Sequence, residues 1–467
     1  MTTADPSAAA ILRAAGLPEN ATSEWTQVLP SATADYKGDL ENYCGFWNVS
    51  ARLLEALPAR PKRNEAERAA AASLLSVARA SRELFLKAHA ERLYDELTLR
   101  CSVFHRLDDL VYAAAEIAPG LTPSRQEVAA EAALKQGDKD GVEIDQGLFL
   151  AHVFARPRSG EHLCHAMLLP RPESAALTAE FAAKGVLDLG AARLTRVGKA
   201  VHLEMINPRF LNAEDGTTLG GTEIAVDVAT LDRTTEIAVM RGVAVDNEKY
   251  RGRRIFGAGI NLTHLYLGKI PFLWFLIRDL GYVHKLMRGV ASPDSVPDDV
   301  NGRGVEKQWI AAVDSFAIGG HCQALLCMDF VLAASDAFMT LPARKEGIIP
   351  GFSVLRLPRF TGDRIARQAI FYERKLMCDS PEGRLICDEI APPAEMDAAI
   401  ARVVEGLTSS GAVSAIGNRR AFRVGQEPLD LFRRYAAVYA REQAYCHFSP
   451  ALIANLERNW DARNRKI

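Results

Sequence analysis

Hydrophobic positions along this chain follow two rhythms. Over residues 62–118, Leu74, Leu75, Val77 and Ala78, followed by Leu84, Leu86 and Ala90, recur at the spacing of an amphipathic helix in a background rich in Ala, Leu, Glu and Arg. Pro119-Gly120 and Pro123-Ser124 interrupt that rhythm, and a further helix is predicted over 124–135, ahead of a loop at 136–141. Apolar runs at 147–154 and 163–169 and a helix over 173–184 complete a front part that reads as mostly α. From residue 194 the rhythm changes. Residues 194–206 (LTRVGKAVHLEMI) alternate as a half-buried strand should, 219–234 reads as a helix, and the run 235–245 (TEIAVMRGVAV) reads as a buried strand. A second apolar run, 309–313, leads through Gly319-Gly320 into a helix-like stretch over 323–330. Strands alternating with helices predict an α/β class with a βαβ core. Beyond it, helices are predicted over 355–372, 396–407, 411–424 and 428–447, with a short strand at 386–390. After the Ser449-Pro450 break, a last short helix is predicted over 450–458.

At 467 residues the chain exceeds one ordinary core. The expected division is a mostly helical domain over 1–195, a core over 196–410 and a C-terminal helical segment over 411–467. With 56 Lys and Arg against 58 Asp and Glu, the formal charge of −2 offers no basic excess for nucleic acid. The longest apolar patch, Ile270-Pro271-Phe272-Leu273-Trp274-Phe275-Leu276-Ile277, is far too short to span a bilayer. The alanine-rich start lacks the charged and apolar regions of a signal peptide, so a cytoplasmic protein with no membrane partner is expected. Eight scattered cysteines without a CxxC pair fit reduced thiols. His162, Cys164 and His165 have the character of metal ligands, but no second cluster supplies the rest of a closed site, so no metal is expected.

Two stretches carry candidate chemistry. Phe256-Gly257-Ala258-Gly259-Ile260 follows the buried run 235–245, and Gly319-Gly320 follows 309–313 at a predicted helix start. Glycines let a ligand approach the backbone closely, and exposed amides at a helix start attract anions. Two such amides aimed at one carbonyl oxygen would form an oxyanion hole. Gly347-Ile348-Ile349-Pro350-Gly351 adds a third glycine turn, and Met205-Ile206-Asn207-Pro208-Arg209-Phe210-Leu211-Asn212-Ala213 precedes all three. In this order the segments resemble the crotonase (enoyl-CoA hydratase/isomerase) superfamily over residues 196–410. The resemblance implies a ββα spiral core and an acyl-CoA substrate. It also implies C-terminal helices that cover the site and hold together a homo-oligomer, a trimer or a dimer of trimers.

Carried over residue by residue, the resemblance makes the backbone N–H groups of Ile260 and Gly320 the oxyanion-hole donors, flanked by Gly259 and Gly319. The third glycine of many relatives is His321 here. A hydratase of this family uses two glutamates, at the positions held here by Gln323 and Ala343. Neither side chain is an acid or base at neutral pH, which argues against addition of water. Glu346 stands three positions beyond Ala343 and is assigned a surface or ion-pair role. Uncharged Gln323 and apolar Ile260, Ala343, Ile348 and Ile349 describe a dry pocket, and an oxyanion hole alone still acidifies the carbon next to a thioester.

Further segments sharpen the resemblance: Asn212-Ala213-Glu214-Asp215, the run from Phe256 to Tyr266, Arg278-Asp279-Leu280-Gly281-Tyr282-Val283 and Glu306-Lys307. They are similar to the branch of cofactor-independent 3,5-dihydroxyphenylacetyl-CoA dioxygenases of glycopeptide-antibiotic biosynthesis. That branch implies conversion of the thioester and O2 to 3,5-dihydroxyphenylglyoxylate and CoA, with no metal, flavin or other cofactor. It makes Glu214 the holder of a ring hydroxyl, Arg278 a polar active-site residue, and Ile348 with Ile349 part of an oxygen pocket. No base for the α-proton is identified. Structural readings stand beside these roles: Glu214 as a helix cap, Arg278 as an anchor on a carboxylate, Ile348 as core. Two other functions also stand, another crotonase enzyme on an aryl-acyl-CoA (a thioesterase or isomerase) and a non-catalytic crotonase-like assembly protein.

Overall fold

The computed structural model describes residues 6–27, 29–250, 252–297 and 302–465. The polypeptide divides into two compact units, one of Met1–Leu163, Leu267–Leu273 and Ala436–Pro450, the other of Cys164–Tyr266, Trp274–Tyr435 and Ala451–Ile467. The chain twice leaves the second unit for a short return to the first, at Leu267–Leu273 and Ala436–Pro450.

The first unit is helical for local reasons. Asn64 Oδ1 accepts the Glu67 N–H at 2.9 Å and Glu67 Oε2 accepts the Asn64 N–H at 2.8 Å, a reciprocal cap that starts the 33-residue helix Glu65–Leu97. Ser124 and Glu127 cap Arg125–Ala132 in the same way. Of the expected apolar stripe, Leu74, Ala78, Leu86 and Ala90 are buried and Leu84 is exposed, because the packed face runs through Ser81, Phe85 and His89. Trp47, on the helix Tyr36–Glu55, meets Phe85 edge to face at 5.6 Å and donates its indole N–H to Ser81 Oγ at 2.8 Å.

Among the described residues the second unit holds ten strands: β1 Val186–Asp188, β2 Ala192–Val197, β3 Ala200–Met205, β4 Ile237–Gly242, β5 Gln308–Val313, β6 Phe316–Ile318, β7 Phe330–Ala334, β8 Phe338–Thr340, β9 Leu376–Met377 and β10 Glu389–Ala391. Seven form one sheet in the order β1-β2-β3-β4-β5-β7-β10, and β6-β8-β9 form a second. From β3 to β10 the large sheet is parallel; β1 and β2 join it antiparallel. β4 and β5 are buried on nearly every residue, as parallel strands covered on both faces must be. Their side chains share a core with the helices Leu219–Leu231, Tyr282–Arg288 and Met396–Thr408. The α/β class with a mostly helical front part is therefore the observed one.

Two elements differ from expectation. The alternating stretch 194–206 is not one strand but a hairpin, turned at Gly198 (φ +58°) so that Val197 pairs with Ala200. The helix expected over 323–330 is Gly320–Leu325, and Phe330 already opens β7. Asp329 causes the switch: its carboxylate accepts the Trp309 N–H at 2.8 Å and its own N–H donates to the Trp309 carbonyl at 3.0 Å, which locks the chain into register beside β5. The helix Ser353–Tyr372, in turn, contains Pro358 and a non-helical Gly362 (φ 71°, ψ 161°) that kinks it.

Register decides where the loops emerge. Met205 of β3 pairs with Gly242 of β4, and Arg241 pairs with Ala312 of β5, so the segments after β3, β4 and β5 leave the sheet at one end. Ligands of parallel sheets bind outside the carboxyl ends of the strands. Two of the three glycine turns, 256–260 after β4 and 319–320 beyond β5 and β6, lie on those segments.

Candidate functional site

The turn after β4 and the turn after β6 meet backbone to backbone. Gly257 accepts the Ile318 N–H at 2.9 Å and donates to the Phe316 carbonyl at 3.3 Å. A Cβ on Gly259 would lie 2.9 Å from the Ile318 carbonyl oxygen and 3.4 Å from both Gly319 Cα and the Gly320 nitrogen. Gly259 has φ +79° and Gly319 φ +52°, so both positions demand glycine on conformational grounds as well.

Planarity then orients two amides. The Gly259 carbonyl accepts the Glu214 N–H at 2.7 Å. Across that trans peptide the Ile260 N–H must face the opposite way. The Gly319 carbonyl accepts the Gln323 N–H at 3.0 Å, the first bond of the helix Gly320–Leu325, so the Gly320 N–H projects from the helix start. Among the described residues neither the Ile260 nor the Gly320 N–H has an acceptor. Two free donors on facing turns can bind one developing oxyanion.

A buried charge network backs them. Glu214 Oε1 accepts from Arg278 Nε at 2.8 Å and from the Tyr282 hydroxyl. Arg278 also donates to Asp279 Oδ1 at 2.6 Å, to Gln323 Oε1 at 2.9 Å and to the Gly320 carbonyl at 2.6 Å. Because a guanidinium only donates, the Gln323 oxygen is fixed toward Arg278 and its NH2 is turned away. Glu214 Oε2 is buried with no partner among the described residues. It lines, with Asn207, Asn212, Thr218, Thr222 and His321, a cavity of about 10 Å³, room for a single water. Gly320 has no space for a side chain, since a Cβ would lie 2.3 Å from Glu214 Oε2.

Burial pushes the pKa of Glu214 up, but the charge of Arg278, with the hydrogen bonds from Arg278 and Tyr282, pulls it further down, and the carboxyl lies below its ordinary range. Burial opposes the charge on Arg278, yet Glu214, Tyr282 and Asp279 hold its pKa well above the ordinary value. Burial, helped by Arg278 against Glu214, depresses His321 to about 4. The pair Glu214–Arg278 is thus ionised and His321 is neutral. The local capping role belongs to Asp215, whose Oδ1 accepts the Thr217 N–H at 2.9 Å, while Glu214 reaches across the chain to Arg278.

Of the residues singled out in the sequence, Glu214, Gly259, Ile260, Arg278, Gly319, Gly320 and Gln323 come together here. Ile348 and Ile349 are half-buried on the turn after the short helix Ala343–Glu346. That turn touches the network through Gly351, where a Cβ would lie 2.3 Å from Gln323 Oε1 and 2.7 Å from Asp279 Oδ2. Tyr282, Asp279 and the partner of His321 were not anticipated; Arg278 ends one helix, Phe272–Leu280, and Tyr282 begins the next, Tyr282–Arg288, across a non-helical Gly281, so no helical spacing announces their meeting on Glu214. Glu346 corrects the expected surface or ion-pair role. It is buried, no ion pair is described for it, and burial followed by neighbouring Glu373 pushes its pKa up to about 7. His162 Nδ1 hydrogen-bonds the Tyr94 hydroxyl at 2.7 Å, and His165 Nε2 the Ser292 carbonyl at 3.1 Å. Among the described residues no group of three His, Cys, Asp or Glu could hold a metal ion, and no helix is long and apolar enough to cross a membrane.

The chain is 46% identical over 393 residues to the (3,5-dihydroxyphenyl)acetyl-CoA 1,2-dioxygenase of Amycolatopsis orientalis, covering 84% of this chain and 89% of that one. It is 31% identical over 236 residues to the crotonyl-CoA hydratase of Syntrophomonas wolfei, covering 50% of this chain and 82% of that one. A solved enoyl-CoA hydratase/isomerase from Xanthobacter autotrophicus Py2 aligns with a TM-score of 0.47 at 20% identity, over 59% of this chain and 96% of that one. The family profile of enoyl-CoA hydratase/isomerase matches residues 303–426. With 46% identity over 393 aligned residues that cover 89% of one curated relative, the chain belongs to the crotonase (enoyl-CoA hydratase/isomerase) superfamily.

Proposed function

We propose that this protein is a dioxygenase that converts (3,5-dihydroxyphenyl)acetyl-CoA and O2 to 3,5-dihydroxyphenylglyoxylate and CoA, using neither a metal nor an organic cofactor. The observation that carries the reading is a pair of unpaired amides, Ile260 N–H and Gly320 N–H, at a site whose two acid positions hold Gln323 and Ala343. The 46% identity to the Amycolatopsis dioxygenase supports the substrate and the reaction.

In this reading the thioester oxygen accepts both amides, each worth about 2.7–4 kcal/mol to the developing enolate. Gly259 and Gly319 admit it by keeping the backbone bare. The unpaired Glu214 Oε2 accepts a ring hydroxyl, Arg278 holds Glu214 and Gln323 in place, and the outward Gln323 NH2 faces the acyl group. Loss of one α-proton leaves a carbanion delocalised into the ring. It passes one electron to O2 in a pocket lined by Ile348 and Ile349, and the substrate radical and superoxide combine to give a peroxide at the α-carbon. The peroxide attacks the thioester carbonyl and expels CoA as thiolate. Loss of the second α-proton breaks the O–O bond, so the two oxygen atoms end in the keto and carboxylate groups.

Residues 411–467 serve assembly as a trimer or a dimer of trimers, a role supported by Val413 at 90%, Phe422 at 67% and Val424 at 58% exposure on the helix Ala412–Gln426. Eight free cysteines support a cytoplasmic setting. The test is turnover of (3,5-dihydroxyphenyl)acetyl-CoA by metal-stripped protein, following oxygen uptake and CoA release together. One O2 consumed per CoA released is expected. CoA release that continues unchanged without oxygen would replace the reading with a thioesterase.

A further inference from the structure

We propose that His321 is a positioning residue that sets the separation of the two oxyanion donors, acting as a neutral imidazole with its proton on Nε2. The proposal rests on the reading of Ile260 and Gly320 as those donors and deepens it.

The hydrogen bonds require this tautomer. The Gly259 N–H points at His321 Nδ1, 3.1 Å away, and a backbone N–H can only donate. Nδ1 must therefore present its lone pair, and in the neutral ring the proton sits on Nε2. The ring is buried, packs so closely on Gly257 that a Cβ there would lie 2.2 Å from its Cγ, and meets Phe256 edge-on at 6.0 Å. Burial favours the uncharged form. The charged and titratable groups around it are Glu214, whose Oε2 lies 3.8 Å from Nδ1, and Arg278, with Tyr282 behind them on Glu214.

Residue 259 is thereby held at both ends, His321 on its N–H and the Glu214 main chain on its C=O. Those two bonds fix the plane of the peptide that carries the Ile260 N–H. His321 itself follows Gly320, the residue that carries the other donor. One side chain therefore spans from the helix start bearing one donor to the turn bearing the other. The same tautomer removes His321 from the candidates for the α-proton base, since Nδ1 is occupied and Nε2 already carries a proton.

His321→Asn and His321→Leu separate the acceptor from the bulk. Asparagine can offer its carbonyl oxygen where Nδ1 lies; leucine fills the space without an acceptor. In the full-length protein, His321→Leu is expected to lower kcat for coupled oxygen uptake and CoA release about 10–100-fold with KM within about threefold, the pattern of a lost transition-state interaction. His321→Asn is expected to stay within about threefold of the unmodified protein. Equal activities of the two variants, or a loss confined to KM, would overturn the proposal. Nitrogen NMR of 15N-histidine-labelled protein gives a reading that does not depend on turnover. A neutral ring with unprotonated Nδ1, absent from His321→Asn, is expected at pH 7; a protonated Nδ1 would overturn the proposal even if the leucine variant fails to fold. Absence of oxygen uptake by the unmodified protein would instead defeat the dioxygenase reading and leave the tautomer to be decided by the spectrum.

Discussion

A single methyl group at position 320 isolates the contact between the glycine turn and the charge network. A Cβ there would lie 2.3 Å from Glu214 Oε2, 2.9 Å from Arg278 Nη2 and 3.2 Å from Arg278 Cζ. Unstrained contacts begin near 3.5 Å, so Glu214 must retreat by about 1 Å and Arg278 by about half that. The backbone itself offers no resistance: Gly320 is not among the positive-φ glycines, and alanine is favoured over glycine in a helix by about 1 kcal/mol. Overpacking of this kind costs about 1–3 kcal/mol, so Gly320→Ala should leave the protein folded while displacing Glu214 and Arg278. A misplacement of about 1 Å costs on the order of 100-fold in rate. The assay is kcat for coupled oxygen uptake and CoA release, read beside thermal unfolding of the same preparation. A cycle adds a sharper criterion. In a Glu214→Ala background the nearest obstacle is gone, so the penalty for Gly320→Ala should shrink to within about threefold. Gly320→Ala with undiminished kcat, or an equal loss in both backgrounds, would refute the reasoning.

Three further outcomes follow from the same packing. Arg278→Met removes the cation paired with Glu214 and the donor to Asp279 Oδ1, Gln323 Oε1 and the Gly320 carbonyl, leaving the buried Glu214 carboxylate with the Tyr282 hydroxyl and no countercharge on Arg278, and should cost about 3–5 kcal/mol, with Glu214→Gln in the same chain recovering part of it; amide exchange in β4 and β5 reads the loss. Glu214 has a lowered folded pKa, so its contribution is complete above the ordinary carboxylate range and is lost as pH falls through the folded value; Glu214→Gln should flatten the acid limb of stability below about pH 4.5. Lys307 donates from Nζ to the Asp232 carbonyl at 2.6 Å and to Thr235 Oγ1 at 2.8 Å, and burial lowers its pKa from 10.5 to about 8. Between those values the unfolded chain binds the extra proton, so stability should rise with pH by up to about 3 kcal/mol, and Lys307→Met should remove that rise in denaturant titrations at pH 8 and pH 10.

What could be read ahead of the structure, and what could not, divides along a physical line. Gly259 and Gly319 were legible because φ values of +79° and +52° restrict the choice of residue, so the turns declare themselves in composition. The missing acids were legible because Gln323 and Ala343 exclude proton transfer by identity alone. Local signals also existed for what was misread: Gly198 marks the hairpin inside 194–206, and Asp329 ends the helix before β7. Burial and pairing were not legible. Arg344 and Lys345 are exposed while Glu346 beside them is buried, and nothing in a four-residue helix announces which neighbour turns inward. The charge network is less local still. Tyr282 and Arg278 reach Glu214 across 68 and 64 residues, and His321 reaches Gly259 across 62. Sequence patterns report conformations that one residue must adopt, whereas a carboxylate kept ionised in the interior depends on which distant donors fold against it. For this protein the glycine turns and the absent acids are legible in the chain and the reaction rests on its relative, but the ionised state of Glu214 and the neutral state of His321 follow only from the three segments that close around them.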